Sequence, residues 1–254
     1  MFAEERLDKI LEQLQKEGNV SVNELSDKFG LSKDAIRKDL QKLEKIGKLK
    51  RTYGGAILQR EIAKNINMLN RINKNIEPKK KIVDKALLLI NNGETIFLDI
   101  SSTNMLLASA IAEKELKITV ITNMLDIMNK LSNAAHLKLI GVGGVFNCAL
   151  NGYIGAAAIE QIRMYRMDKA FIGTAGINIK EKSLSTFDIE DGITKKSIIE
   201  VSKEVVLLAD RSKFDQDGNY KFATLDCLDY VVTNMKISSD VKDGIAGYGI
   251  QLIT

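Results

Sequence analysis

The sequence predicts two folds in tandem: a small helical module ending in a β-ribbon, then a larger α/β domain built on a parallel sheet. Three observations predict this. Residues 1–58 carry apolar side chains at helical spacing and then switch to alternation. Residues 95–234 hold six short runs dense in Val, Ile and Leu, with helical stretches between several of them. Charge is also split unevenly. Residues 1–81 contain 19 Lys and Arg against 12 Asp and Glu, while the rest of the chain holds 18 against 21. A basic front end on a mildly acidic body marks a polyanion-binding module attached to a different kind of domain.

Each element follows from local chemistry. Leu7, Ile10, Leu11 and Leu14 recur at i, i+3, i+4 and i+7, and Gly18 ends the run. Ser21 with Glu24 three residues later is a capping box. It opens a short helix that buries Leu25 and Phe29 and stops at Gly30. Ser32 caps a third helix with a buried stripe of Ile36, Leu40, Leu43 and Ile46, closed by Gly47. "GLS" joins the second and third helices at helix-turn-helix length. Leu49, Arg51 and Tyr53 then alternate with Lys48, Lys50 and Thr52, and Gly54-Gly55 supplies a hairpin turn. Three helices and a ribbon predict a winged helix-turn-helix domain over residues 1–58.

Residues 59–77 are polar and Asn-rich, with Ile62, Ile66, Leu69 and Ile76 at rough helical spacing, so a partly helical linker is expected. Pro78 suits the first turn of the next helix. That helix buries Ile82, Val83, Ala86, Leu87 and Ile90 and ends at Asn92-Gly93. Over 78–254 the strand-like runs are 95–100, 118–122, 137–142, 169–173, 204–210 and 229–234, with helices near 104–114, 124–132, 155–165 and 189–203. Runs this apolar predict a parallel sheet covered on both faces. No apolar run reaches about 18 residues, and the N-terminus lacks a signal-peptide pattern, so a cytoplasmic protein is expected. Cys148 and Cys227 lie far apart and the lone His136 has no partner motif, so no metal site, disulfide or cofactor is expected.

The basic module points to DNA. A recognition helix reads base edges from its N-terminal turns, which nominates Lys33, Ala35, Arg37 and Lys38. Arg37 is the candidate for guanine, because its fork reaches two acceptors. Lys48, Lys50, Arg51 and Tyr53 sit on the wing, where they meet backbone or minor groove. The capped helix starts at Ser21 and Ser32 offer amides to phosphates. "ERLDKILEQLQKEGNVSVNELSDKFGLSKDAIRKDLQKLEKIGKLKRTYGGAI" resembles the N-terminal module of DeoR-family transcriptional regulators, with "SKDAIRKDL" and the basic Gly-Gly-Ala segment as the signature. Ala35 stands where that family often has Thr, and Tyr53 where it often has His.

In the α/β domain, ligands belong outside the carboxyl ends of the strands, so the strand-to-helix joins are the candidates. Asp99 ends one strand, and Ser101, Ser102, Thr103 and Asn104 open a helix with hydroxyls and amides suited to phosphate. Gly143-Gly144 permits close backbone approach, and Thr174 and Gly176 lie at another strand end. Asp188, Glu190, Asp191, Lys195 and Lys196 cluster at a helix start, either around a phosphorylated sugar or as a solvated face with an Asp191–Lys195 pair. Asp210 and Lys213 follow a further strand.

"TIFLDISSTN", "VITN", "GVGG", "FIGTAGI", "LST" followed by Asp188, and "LLADRSKF" resemble, in order, the sensor domain of the same family. The resemblance implies a Rossmann-like parallel α/β domain similar to ribose-5-phosphate isomerase. It implies that Ser101–Asn104 grip phosphate and that Asp99, Lys195 and Lys213 face the sugar. Phe187 departs from the family, which usually has Pro there, and so does Phe146-Asn147. The expected protein is a DNA-binding regulator, a repressor of sugar metabolism, that binds operator DNA as a homo-oligomer and answers to a phosphorylated sugar. The alternative is an isomerase-like enzyme carrying a DNA-binding module, with Asp99, Asp188 or Glu190 as base.

Overall fold

The computed structural model describes residues 3–58, 60–63, 67–234 and 239–254. Ile66, counted above in the linker's spacing, lies outside them. The chain divides into two compact units, Met1–Glu61 and Ile62–Thr254.

The first unit runs α1 (Ala3–Glu17), β1 (Asn19–Ser21), α2 (Val22–Phe29), α3 (Lys33–Lys45), β2 (Leu49–Thr52) and β3 (Gly55–Leu58). The apolar stripes meet in one core of Ile10, Leu14, Val20, Val22, Leu25, Ile36, Leu40, Leu43, Leu49 and Ala56. Ile46 is a correction: it is 65% exposed. Helix α3 has already ended there, with Gly47 in the left-handed region at φ +71, so the side chain leaves the stripe. The short β1 was not expected. It pairs antiparallel with β3, giving the sheet order β1-β3-β2. Gly55 explains the contact, because a Cβ there would lie 2.1 Å from the Val20 carbonyl oxygen. An ion pair of 2.6 Å between Arg6 and Asp39 ties α1 to α3.

A two-residue strand, β4 (Glu61–Ile62), falls at the division, and the second unit follows with α4 (Leu69–Ile72) and α5 (Ile76–Leu87). Next come β5 (Thr95–Leu98), α6 (Ser102–Ala112), β6 (Thr119–Thr122), α7 (Leu125–Leu131) and β7 (Lys138–Gly141). A hairpin of β8 (Val145–Asn147) and β9 (Gly152–Ile154) leads to α8 (Ala156–Arg163) and β10 (Met167–Gly173). The chain continues through β11 (Gly176–Asn178), β12 (Ser183–Thr186), α9 (Ile189–Glu200), β13 (Ser202–Leu208), a 3-10 turn at Arg211–Phe214, β14 (Gln216–Asp217) and β15 (Tyr220–Thr224). It ends with a second 3-10 turn at Leu225–Cys227, β16 (Tyr230–Val232), α10 (Ser239–Ala246) and β17 (Gln251–Ile253).

Among the described residues the main sheet has seven parallel strands in the order β17-β16-β13-β10-β5-β6-β7. Ile96, Leu98, Phe171, Val206 and Leu208 pack on one face with α5, α6 and α7. Phe97, Ala170, Ile172, Val205 and Leu207 pack on the other with α8 and α9. Both faces are dry, which is why these strands read as continuous apolar runs. The edge strand β17 and the antiparallel sheet β11-β12-β15 were not expected. The segment expected as a linker is corrected as well. Residues 67–77 belong to the second unit, where Met68 is buried in the core and its N–H donates to the Ala149 carbonyl at 2.8 Å. Helix α5 starts at Ile76, two residues before Pro78, and ends at Leu87, short of Asn92-Gly93.

Candidate functional site

Strand order reverses between β5 and β10: the chain runs outward from β5 through β6 on one side and returns to β10 on the other. A crevice opens at the carboxyl ends of such a pair. Here it is a cavity of about 450 Å³. Ser101 caps α6, its hydroxyl accepting the Asn104 N–H at 3.0 Å, and the Ser102 and Thr103 side chains line the cavity. Their first-turn amides have no carbonyl one turn back within the helix. Gly173, which ends β10, lets the two elements meet: a Cβ there would lie 2.4 Å from the Ser101 Cβ.

Beneath the cavity lies a buried charge network. Asp99 pairs with Lys195 and accepts the Gly173 N–H at 3.0 and 3.1 Å and the Asn104 amide at 2.6 Å. Lys195 also lies 3.7 Å from Asp191, whose other oxygen accepts the Thr186 hydroxyl at 2.6 Å. Burial pushes the Asp99 carboxyl up, against the pull of Lys195. Burial alone would push the Lys195 ammonium down, but Asp191 and Asp99 outweigh it and hold the lysine above its ordinary range.

The cavity is also lined by Arg71, Lys74, Lys79, Asp210 and Lys213. Lys79 is 4% exposed, and its ammonium donates to the Arg71 carbonyl at 2.6 Å. Burial brings it down to about 8, with Asp210 opposing and Lys213 and Arg71 adding to the drop. Burial presses Lys213 down too, against the pull of Asp210. Asp210 is occupied by the Ser212 N–H at 3.0 Å and its hydroxyl at 2.5 Å. The Arg71 guanidinium lies 5.1 Å from the centre of the Phe187 ring. Five cations thus line the cavity against two carboxylates, with Asp99 below them.

The first unit offers a different surface. Lys33, Arg37, Lys38, Lys48 and Lys50 are exposed, and Ala35 is half-buried between them. Ser21 and Ser32 both act as caps: Ser21 accepts the Asn23 and Glu24 N–H groups, Ser32 that of Ala35. Arg37 reaches Asp34 at 2.8 Å. Arg51 is held to Glu44 of α3 through its N–H at 2.9 Å and its Nε at 2.8 Å, which lowers the Glu44 carboxyl. Tyr53 stands fully exposed at the ribbon's tip. A cleft of about 550 Å³ is lined by Arg37, Glu44, Arg51 and Tyr53 among others, from α3 and the ribbon, together with Asn23 of α2.

Comparison with known proteins bears on both units. Residues 6–61 match the DeoR-like helix-turn-helix domain, and residues 74–235 match the DeoR C terminal sensor domain. The chain belongs to the DeoR family. It is 31% identical over 253 residues to the HTH-type transcriptional repressor GlcR of Bacillus subtilis (strain 168), covering 100% of this chain and 96% of that protein. It is 31% identical over 243 residues to the glycerol-3-phosphate regulon repressor of Escherichia coli (strain K12), covering 96% and 95%. A ribose 5-phosphate isomerase A from Methanocaldococcus jannaschii is 20% identical, with a TM-score of 0.42 over 56% of this chain and 55% of that one.

Within this DeoR-family sensor domain, the expected effector residues do not all share one place. Ser101, Ser102, Thr103, Thr174, Lys195 and Lys213 line the cavity. Asp99 and Asn104 lie beneath it, fully buried and engaged with each other. Gly176 lies outside the lining and accepts the Thr174 hydroxyl through its carbonyl at 2.9 Å. Asp188 caps α9, accepting the Glu190 and Asp191 N–H groups, and does not line the cavity. Gly143-Gly144 is elsewhere: Gly143 exchanges hydrogen bonds with the Gln161 side chain, and Gly144 abuts Ala158 of α8. The reading of Asp191–Lys195 as a solvated pair is corrected, since both are 3% exposed. Sequence reasoning missed Arg71, Lys74 and Lys79 in a segment read as linker and helix start. The sequence signal available for them was a concentration of cations, Arg71, Lys74, Lys79, Lys80 and Lys81, in one short stretch.

Proposed function

We propose that this DeoR-family protein is a repressor that binds operator DNA through its first unit and is controlled by a singly phosphorylated sugar held in the cavity of the second. The observation that carries the reading is the charge around that cavity. Five lining cations face Asp191, Asp210 and the underlying Asp99, an excess of two positive charges. A phosphate monoester near pH 7 brings about two negative charges. The helix α6 amides and the Ser102 and Thr103 hydroxyls supply directional donors for its oxygens. The remaining volume, lined by Thr174, Thr186 and Phe187, suits a small polyol. The name of one relative, a glycerol-3-phosphate regulon repressor, is in line with a phosphate ester as effector.

A regulator is favoured over an isomerase because the carboxylates at the site are engaged. Asp99 is locked by Lys195, Gly173 and Asn104, Asp191 by Thr186 and Lys195, and Asp210 by Ser212. A base that moves protons needs reach to its substrate. One recognition helix reads only a few base pairs, so the working form is at least a dimer on paired half-sites. No helix of the described residues is long and apolar enough to cross a membrane, which accords with work in the cytoplasm.

The test is fluorescence anisotropy at fixed salt, with DNA from upstream of the protein's own gene cluster and a panel of sugar phosphates. One compound should change operator affinity at least about tenfold, roughly 1.4 kcal/mol of coupling. Ser102→Ala with Thr103→Ala should abolish that response and leave DNA binding intact. A response that survives the double substitution moves the phosphate elsewhere.

A further inference from the structure

Arg71 combines two features that no other lining cation shares. It sits in α4, a four-residue helix in the stretch that leads back to the DNA-binding unit, ten residues beyond Glu61. Its guanidinium also lies against the face of Phe187, from the turn between β12 and α9. Stacking of this kind fixes a planar fork and presents its N–H donors edgewise. Isolated helices this short do not hold themselves together. At the start of helix α4 the Asn67 side chain accepts the Leu69 N–H at 2.9 Å, and Leu69 is 70% exposed. It is secured by Met68 in the core, Ile72 packed against that core, the Met68 N–H bond to the Ala149 carbonyl and the Lys79 bond to the Arg71 carbonyl.

We propose that Arg71, oriented by Phe187, is the ligand-gripping residue through which an anion in the cavity firms up α4 and so reaches the segment leading to the DNA-binding unit. Phe187 is the positioning residue. The inference rests on the cavity being an anion site, as proposed above. In this account the phosphate bridges two elements: the α6 N-terminus, fixed to the sheet, and the guanidinium of α4. An occupied cavity adds to the contacts that already hold α4 a charge-assisted link from the Arg71 guanidinium through the anion to the α6 N-terminus.

The experiment uses the full chain and inorganic phosphate, with two readouts: phosphate affinity by calorimetry, and hydrogen exchange of the amides of residues 69–75. In the parent protein phosphate should slow exchange over that stretch. R71A should weaken phosphate about ten- to a hundredfold and remove the slowing. R71K, which keeps the charge and the fold but lacks the fork, should lie between. F187L should cost about three- to tenfold and F187Y should restore binding, which separates stacking from mere filling of space. Parent-like binding by both R71A and R71K overturns the grip. Weakened binding with the slowing retained overturns the link to α4. If S102A/T103A abolishes phosphate binding and R71A does not, the cavity reading stands and this inference falls. If the parent chain binds neither phosphate nor any sugar phosphate, both fall.

Discussion

The two units both gather positive charge, but in opposite surroundings. On the first, Lys33, Lys38, Lys48 and Lys50 stand in water, and Arg37 makes only an exposed pair with Asp34. In the second, Lys79 and Lys195 are 4% and 3% exposed, and Lys195 is sandwiched between carboxylates. Exposed cations contribute little to folding, are screened by salt and are free to meet a polyanion. Buried cations are costly unless paired, so their partners and any ligand are part of the architecture. Substitutions should therefore act on binding alone in one unit and on folding as well in the other.

The largest effect should come from Lys195→Ala. It leaves Asp99 and Asp191 buried without their cation, and should lower unfolding free energy by about 3–5 kcal/mol in urea titration. A loss below about 1 kcal/mol would mean that Asp99 takes a proton in the fold, and the contrast between the units would shrink. Arg37→Ala comes next. Operator affinity should fall by about 1–3 kcal/mol with relaxed base preference, while stability stays within about 0.5 kcal/mol. An equal loss on all DNA sequences would make Arg37 a phosphate contact. The smallest effect sharpens the comparison within the first unit. Lys50→Ala should flatten the slope of log affinity against log salt by about 0.9, one phosphate contact. Arg51→Ala should leave the slope unchanged, because Glu44 already neutralises that side chain. Equal changes for the two would show that DNA breaks the pair.

How much of this was legible depended on whether apolar or polar residues carried the information. The stripes Ile10–Leu14 and Ile36–Leu40–Leu43, and strand runs such as 95–98, announce themselves by period, and the structure places them in the cores. Ser101–Thr103 were readable because a strand end followed by hydroxyls has a restricted meaning in a parallel sheet. Ile46 was misread because the stripe's period runs on past the helix end that Gly47 imposes. Asp191–Lys195 was ambiguous because the same i,i+4 spacing serves a wet face and a dry one. Arg71, Lys74 and Lys79 were missed for a related reason: a polar stretch looks like linker, and nothing in its period shows that Met68 and Lys79 are buried or that Arg71 and Lys74 line the cavity. Gly143-Gly144 lies outside the cavity lining, and the close approach there meets α8 and Gln161.

The assignment of residues 67–77 to the second unit bears on how such regulators can be recombined. A chimera spliced at Pro78, where the sequence suggests that the helix begins, would import a sensor stripped of Met68, Arg71, Lys74 and Asn75. Its core would lose Met68 and the packing of Ile72, and its cavity would be two cations poorer. Spliced at Glu61–Ile62, the same exchange carries the whole pocket with it. The modular joint of this protein lies about sixteen residues upstream of Pro78.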